Sequence, residues 1–200
     1  MAITAEMVKE LRTATGAGVL EAKKALEQTD GNFDKAVDIL REKGAARAAK
    51  RADRTAKEGT VELYAHPGNR VGVMLELNCE TDFVARNDQF RELAHNLALH
   101  IAAAAPRYLK PEDVPTEELE REANVLKAQA IAEGKSPEIA EKIVAGRIQK
   151  YYEEVCLLEQ PYIKDEKVKI QEMLTDAIRT TGENIMIRRF ARYELGELLD

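Results

Sequence analysis

Tryptophan is absent from the 200-residue chain, phenylalanine and tyrosine together number ten, and only two cysteines are present. With so few rings the interior must be filled by aliphatic side chains and by alanine, of which there are 29. Alanine favours helix and lets helices approach closely, so a helix-rich fold around a modest core is expected. Cys79 and Cys156 lie 77 positions apart without CxxC or CxxH context. That argues against a disulfide framework or a zinc site, and both are expected as buried or half-buried thiols. No apolar run approaches the roughly 18 residues of a membrane span, and Met1-Ala2-Ile3-Thr4 offers neither the charged nor the apolar region of a signal peptide. A cytosolic chain of one or two domains, without a membrane partner, is expected.

What is abundant is charge. Thirty basic against 36 acidic residues leave a net −6. The segment Arg41 to Lys57 alone carries seven basic and two acidic side chains, so the rest of the chain is strongly acidic. A whole-chain nucleic-acid binder has the opposite balance, and only this basic segment could meet phosphate.

Residues 1–44 read as three short helices. Thr4 stands where an N-cap belongs, and Met7, Val8 and Leu11 share a helical face before Thr15-Gly16-Ala17-Gly18 breaks the pattern. A second helix carries Val19, Leu20, Ala22, Ala25 and Leu26 up to Thr29-Asp30-Gly31-Asn32. A third shows Phe33, Ala36, Val37 and Leu40 and is expected to end near Gly44. Residues 45–57 alternate alanine pairs with basic residues and hold nothing large to bury, so they are expected as a basic linker or solvated helix.

The period then changes from about 3.6 to 2. Val61, Leu63 and Ala65 alternate with Glu62, Tyr64 and His66; after His66-Pro67-Gly68-Asn69, Val71, Val73, Leu75 and Leu77 alternate in turn. This is the pattern of a β-hairpin. A helix is expected from about Asp82 to Pro106, an antiparallel helix pair over 117–159 with Ser136 and Pro137 opening its second member, and a further helix over roughly 165–181. The tail from Asn184 to Leu195 is strand-like, although Ile185, Ile187 and Phe190 would share a face only if Arg188-Arg189 formed a bulge. Residues 58–200 then close as one core in which the late strand joins the hairpin, giving an α+β fold.

Catalytic signatures are missing. His95 and His100 are five apart, on different helix faces, and His66 stands alone; no HExxH, GxSxG or phosphate-loop sequence occurs, and Gly16-Ala17-Gly18 lacks the lysine and hydroxyl such a loop needs. Neither an enzyme nor a metal or other cofactor is expected. Residues 1–40 hold five basic and seven acidic side chains, which disfavours a helix-turn-helix on DNA. Residues 41–57 lack the interleaved aromatics of a stacking surface, so direct nucleic-acid contact is not expected. One feature remains, Asn78-Cys79-Glu80-Thr81-Asp82-Phe83-Val84. Thr81 or Asp82 is suited to cap a helix. Phe83 lies seven residues before Phe90 and could head the core stripe; exposed at a rigid strand-to-helix junction, it would instead suit insertion into a partner.

Here the chain resembles a family. Thr81-Asp82-Phe83-Val84, preceded by Leu75-Glu76-Leu77-Asn78-Cys79-Glu80, is similar to the signature of the bacterial elongation factor Ts family. So is Val8-Lys9-Glu10-Leu11-Arg12 followed by Thr15-Gly16-Ala17-Gly18-Val19-Leu20-Glu21-Ala22-Lys23-Lys24-Ala25-Leu26, and so is Gly182-Glu183-Asn184-Ile185 running into Arg188-Arg189-Phe190. The resemblance implies a guanine-nucleotide exchange factor for elongation factor Tu, with a ubiquitin-associated-like three-helix domain ahead of the α+β core. It implies that Thr81, Asp82, Phe83 and Val84 enter the partner near its nucleotide and magnesium site. It also implies that Arg12, Val19 and Leu20 dock the amino-terminal domain, with Val19-Leu20 replacing the usual methionine pair. Longer members duplicate the core, whereas this chain holds a single copy, so a homodimer through the core sheet is expected. Two other readings stay open: a partner of elongation factor Tu that binds without exchange, and an RNA- or ribosome-binding protein using Arg41 to Lys57.

Overall fold

The computed structural model describes residues 2–198 and has the α+β architecture expected from the sequence. In chain order it contains α1 (Ala5–Thr15), α2 (Val19–Gln28), α3 (Phe33–Arg51), β1 (Glu58–Ala65), β2 (Val71–Cys79), α4 (Asp82–Ala85) and α5 (Asp88–Ala104). There follow α6 (Thr116–Ala132), α7 (Pro137–Val155), β3 (Pro161–Tyr162), β4 (Asp165–Lys169), α8 (Ile170–Thr181) and β5 (Met186–Glu194). The chain divides into two compact units. The first combines residues up to Thr60 with Leu77–Phe90 and Met173–Met186; the second holds Val61–Glu76, Arg91–Glu172 and the residues from Ile187 on.

In the first unit, the amino-terminal helices are built from the signals in the sequence. Thr4 Oγ1 accepts from Met7 N at 3.3 Å, and α1 ends on Gly16 in the left-handed region at φ +60. Val8, Leu11, Ala17, Ala22, Ala25, Leu26, Ala36 and Leu40 form the core of this module. Half of these residues are alanine, which is how a chain poor in rings packs three helices closely.

The third helix does not stop near Gly44 but runs unbroken to Arg51. Gly44 and Ala48 are buried along it, and a Cβ placed on Gly44 would lie 3.8 Å from Arg179 Cδ and 3.9 Å from Thr175 Cγ2 of α8. The segment has a buried face, then, but one made of small residues that leave no amphipathic signature. Residues 45–51 are helix with Ala48 buried, and the chain leaves regular structure only after Arg51.

Strands β1, β2 and β5 form a three-stranded sheet in that order, with β2 central. The late strand therefore joins the hairpin as expected. Pro67 and Gly68 occupy the middle of the hairpin turn, closed by Asn69 N donating to His66 O at 2.9 Å, and Gly68 supplies the positive φ of +92 that a type II turn needs there. In the second unit Val73 and Leu75 are buried, while Val61, Leu63 and Met74 on the other face are exposed. The inner face of β1 is polar instead: Glu62 bonds His95 of α5 at 3.0 Å, and Tyr64 meets the His95 ring edge-on at 5.5 Å. On β5, Ile187 is buried while the consecutive Arg188 and Arg189 are both exposed.

Two further boundaries differ from expectation. The helix expected from Asp165 begins at Ile170, because residues 161–169 form a small antiparallel pair, β3 with β4. The second member of the helix pair ends at Val155, before a short 3-10 turn over Leu157–Glu159. The pair itself, α6 with α7, is present, with Ser136 Oγ accepting from Ile139 N and Pro137 in the first turn. At its root Glu118 accepts from Tyr108 Oη at 2.6 Å and from Tyr151 Oη, and pairs with Arg107 at 2.7 Å.

Candidate functional site

The helix expected from Asp82 to Pro106 is two helices. α4 is a single turn that ends at Ala85, and α5 restarts at Asp88, with Asn87 Oδ1 accepting from Gln89 N at 2.8 Å. The break decides what Phe83 does. A continuous helix would put Phe83 on the stripe of Phe90; the interruption leaves Phe90 buried and Phe83 83% exposed. The chain thus holds a large apolar ring in water at the first turn after a central strand. Of the ring's apolar surface, little is covered by the chain itself.

The backbone carrying this ring is tightly held. Thr81, not Asp82, is the N-cap: its Oγ1 accepts from Val84 N at 3.4 Å. The same hydroxyl donates to Glu183 Oε1 at 2.6 Å, and Glu183 Oε2 accepts from both Glu80 N and Thr81 N at 3.1 Å. The exchange is reciprocal, since Asn184 N donates to Glu80 Oε1 at 2.6 Å. Asn184 Nδ2 in turn donates to Ala52 O at 3.3 Å and to Arg54 O at 2.8 Å, and Arg54 lies 3.6 Å from Glu80. Residues just after α3, just before α4 and just after α8 are therefore joined in one polar knot. Beneath it, Cys79 is fully buried and donates its thiol to Thr81 O at 3.2 Å. Burial first, and then the Glu183 carboxylate, push that thiol up to about 11, so it stays protonated near neutral pH. Asp82 is half-buried and pairs with Arg86 at 3.1 Å.

A second set of exposed apolar residues stands at the start of α2. Val19 is exposed and Leu20 is 72% exposed, whereas Ala22, Ala25 and Leu26 on the same helix are buried. Arg12 is itself exposed and donates from Nε to Ala17 O at 3.2 Å, fixing the loop that leads into Val19. Both sets belong to the first compact unit, on separate elements. Sequence reasoning named every one of these residues and missed Glu183 and Asn184 as the support of the Phe83 turn. Their motif was visible, but its hydrogen bonds span more than a hundred positions, and no local period reports that.

The basic segment is largely committed within the chain. Lys43 donates to Gln28, Arg47 pairs with Glu21, Arg51 donates to Ile178 O at 3.3 Å, and Arg54 faces Glu80. Hydrogen bonding from Arg47 holds the Glu21 carboxyl below its usual range. Among the described residues no group of three or more His, Cys, Asp or Glu side chains is arranged to hold a metal ion. No helix among them is long and apolar enough to cross a membrane.

Fold and site together define an α+β protein that displays apolar side chains at two helix starts, one of them capped by Thr81. Comparison with known proteins gives the class its family. The family model described as Elongation factor TS matches residues 2–197. A protein named Elongation factor Ts from Thermodesulfovibrio yellowstonii is 54% identical over 200 residues, covering all of both chains. Proteins of the same name from Heliobacterium modesticaldum and Desulfitobacterium hafniense are 55% and 58% identical over 195 residues, covering 98% of this chain and 91% and 90% of theirs. The chain belongs to the elongation factor Ts family.

Proposed function

We propose that this chain acts in translation elongation as a guanine-nucleotide exchange factor for elongation factor Tu. The observation that carries the reading is Phe83: in a chain with only four phenylalanines, one is displayed to solvent on a turn held by five side-chain hydrogen bonds at Glu80 and Thr81. A ring so placed can enter an apolar slot in a partner without the chain first losing structure of its own.

In this reading Phe83 and Asp82 approach the nucleotide site, Thr81 and Val84 hold their turn, and Arg12, Val19 and Leu20 dock the three-helix module of residues 1–44 on the partner. Exchange then follows from linkage. A factor that binds the nucleotide-free partner more tightly than the GDP-bound one weakens GDP binding by the same factor, about tenfold for each 1.4 kcal/mol. Reciprocity lets incoming GTP expel the factor. Asp82 need not ligate magnesium; displacing the groups that do is sufficient. The chain supplies binding energy and no bond chemistry, which makes it a non-enzymatic factor working in the cytoplasm.

The same reading includes a homodimer. The outward sheet face carries Val61, Leu63, Met74 and Tyr193, all exposed, and a second copy would cover it. The RNA-binding alternative is disfavoured by the internal pairing of Arg47, Arg51 and Arg54. Stopped-flow release of fluorescent GDP from elongation factor Tu tests the proposal: release should accelerate in a concentration-dependent way on adding this protein. Binding without acceleration would leave only the non-exchanging partner.

A further inference from the structure

The geometry points to Glu183 as a positioning residue for the Phe83 turn. This inference rests on the reading that Phe83 enters a partner, but its structural half can be tested without one. The Glu183 carboxylate takes three hydrogen bonds from the two residues that precede α4: Glu80 N and Thr81 N on one oxygen, Thr81 Oγ1 on the other. Backbone amides at a strand-to-helix junction have no partner from either element, and left unpaired in a half-buried setting they would pull the junction toward water. By holding both, Glu183 fixes the direction in which α4 leaves β2. The hydroxyl bond does a second thing. A Thr81 hydroxyl that donates to Glu183 has its lone pairs free for Val84 N, the cap on the far side of Phe83. Glu183, Thr81 and Val84 thus make one relay that brackets the ring on both sides, although Glu183 lies a hundred residues from it in sequence.

The neighbouring Asn184 extends the relay. Its backbone N–H is held by the Glu80 carboxylate, and its side-chain amide reaches Ala52 O and Arg54 O, where the chain leaves α3. The Gly182-Glu183-Asn184 segment therefore ties the turn that bears Phe83 to the exit of the helix that carries the amino-terminal module. Gly182, at φ +80, gives the backbone the left-handed step that lets α8 end and the next two residues face this knot.

Chemistry distinguishes a positioning carboxylate from a required charge. A glutamine at 183 keeps an oxygen for Glu80 N and Thr81 N, and its NH2 can donate to a Thr81 hydroxyl turned to accept. Alanine keeps none of the three bonds. Glu183→Ala should therefore raise hydrogen exchange at the Glu80, Thr81 and Val84 amides by about tenfold or more, while Glu183→Gln stays near the parent. In GDP release from elongation factor Tu, Glu183→Ala should lower the saturating rate by about tenfold with the half-saturating concentration nearly unchanged, because Val19 and Leu20 are untouched. Glu183→Gln should recover most of that rate. Combined with Phe83→Ala, the alanine variant should add no further loss, since it acts through the ring. A parent protein that fails to accelerate release would defeat the proposed function, and amide exchange would still decide the role of Glu183. Glu183→Ala with unchanged exchange at Thr81 and Val84 overturns the inference. So does an equal loss of rate in the glutamine and alanine variants, or a loss that adds fully to that of Phe83→Ala.

Discussion

Replacing Phe83 by alanine separates docking from folding. Because the ring is 83% exposed, the free chain loses little buried surface, and its unfolding free energy should move by no more than about 0.5 kcal/mol. If the ring enters elongation factor Tu as proposed, it becomes covered there, and burying a phenylalanine stabilises by about 1.5–3 kcal/mol. That energy corresponds to roughly a 10- to 150-fold change in a rate or an equilibrium. With the ring driven home as GDP leaves, the loss falls on the saturating rate of release and leaves the half-saturating concentration nearly unchanged. The assay is stopped-flow release of fluorescent GDP over a range of factor concentrations, with urea unfolding run in parallel. Leu20→Ala is the internal contrast: it removes another exposed side chain, from a different element, and should raise the half-saturating concentration while leaving the plateau in place. An alanine variant at 83 that accelerates release as well as the parent refutes the wedge, and one whose loss tracks a lowered urea midpoint shows that the ring serves the fold.

The fold itself makes further predictions. His100 is fully buried, with Nε2 against Gln160 Oε1 at 2.9 Å and Ile163 N donating to Nδ1 at 3.4 Å, so the neutral ring is held and burial pushes its pKa down. The unfolded chain takes up the proton first, so stability is complete above about pH 6.5 and falls as the pH drops below it. Urea unfolding at pH 7.5 and 5.5 should show this loss in the parent and a smaller one in His100→Leu; equal losses refute it. Gly59→Ala would drive a Cβ to 2.1 Å from Leu77 O at a φ of +147, and should cost about 3 kcal/mol or more. That should lower Tm by roughly 6–12 °C, and an unchanged Tm contradicts the geometry. Leu63→Arg or Met74→Arg on the exposed sheet face should give a monomer by light scattering where the parent is a dimer; a parent mass of one 22.4 kDa chain removes the dimer from the proposal.

Much of this was legible in the sequence wherever a local rule applied. Thr4, Ser136 and Thr81 could be read as caps because capping needs only a side-chain oxygen and the next three residues. The hairpin followed from alternation and Pro67-Gly68. What escaped was decided by distant or small groups. α3 passes Gly44 because residues of α8, not the local sequence, fill the space beside it. The strands over 161–169 were missed because Asp165, Glu166 and Lys167 are exposed and polar, with no apolar alternation to count. The i, i+7 spacing of Phe83 and Phe90 carries meaning only along an unbroken helix, and Asn87 breaks it. The support given by Glu183 and Asn184 lies beyond any local window.

The uninterrupted course of α3 changes what the basic segment is. A flexible coil over residues 45–57 would let its ends wander with a root-mean-square separation of about 20 Å. Residues 45–51 instead continue α3 for about 10 Å with a fixed phase before the chain leaves regular structure. Inserting one residue between Gly44 and Ala48 would turn everything beyond it by about 100°, whereas inserting four would nearly restore the facing while displacing it by about 6 Å. A tether would accept either insertion, so if the two exposed apolar sets dock as proposed, their spacing is a matter of angle as much as of reach.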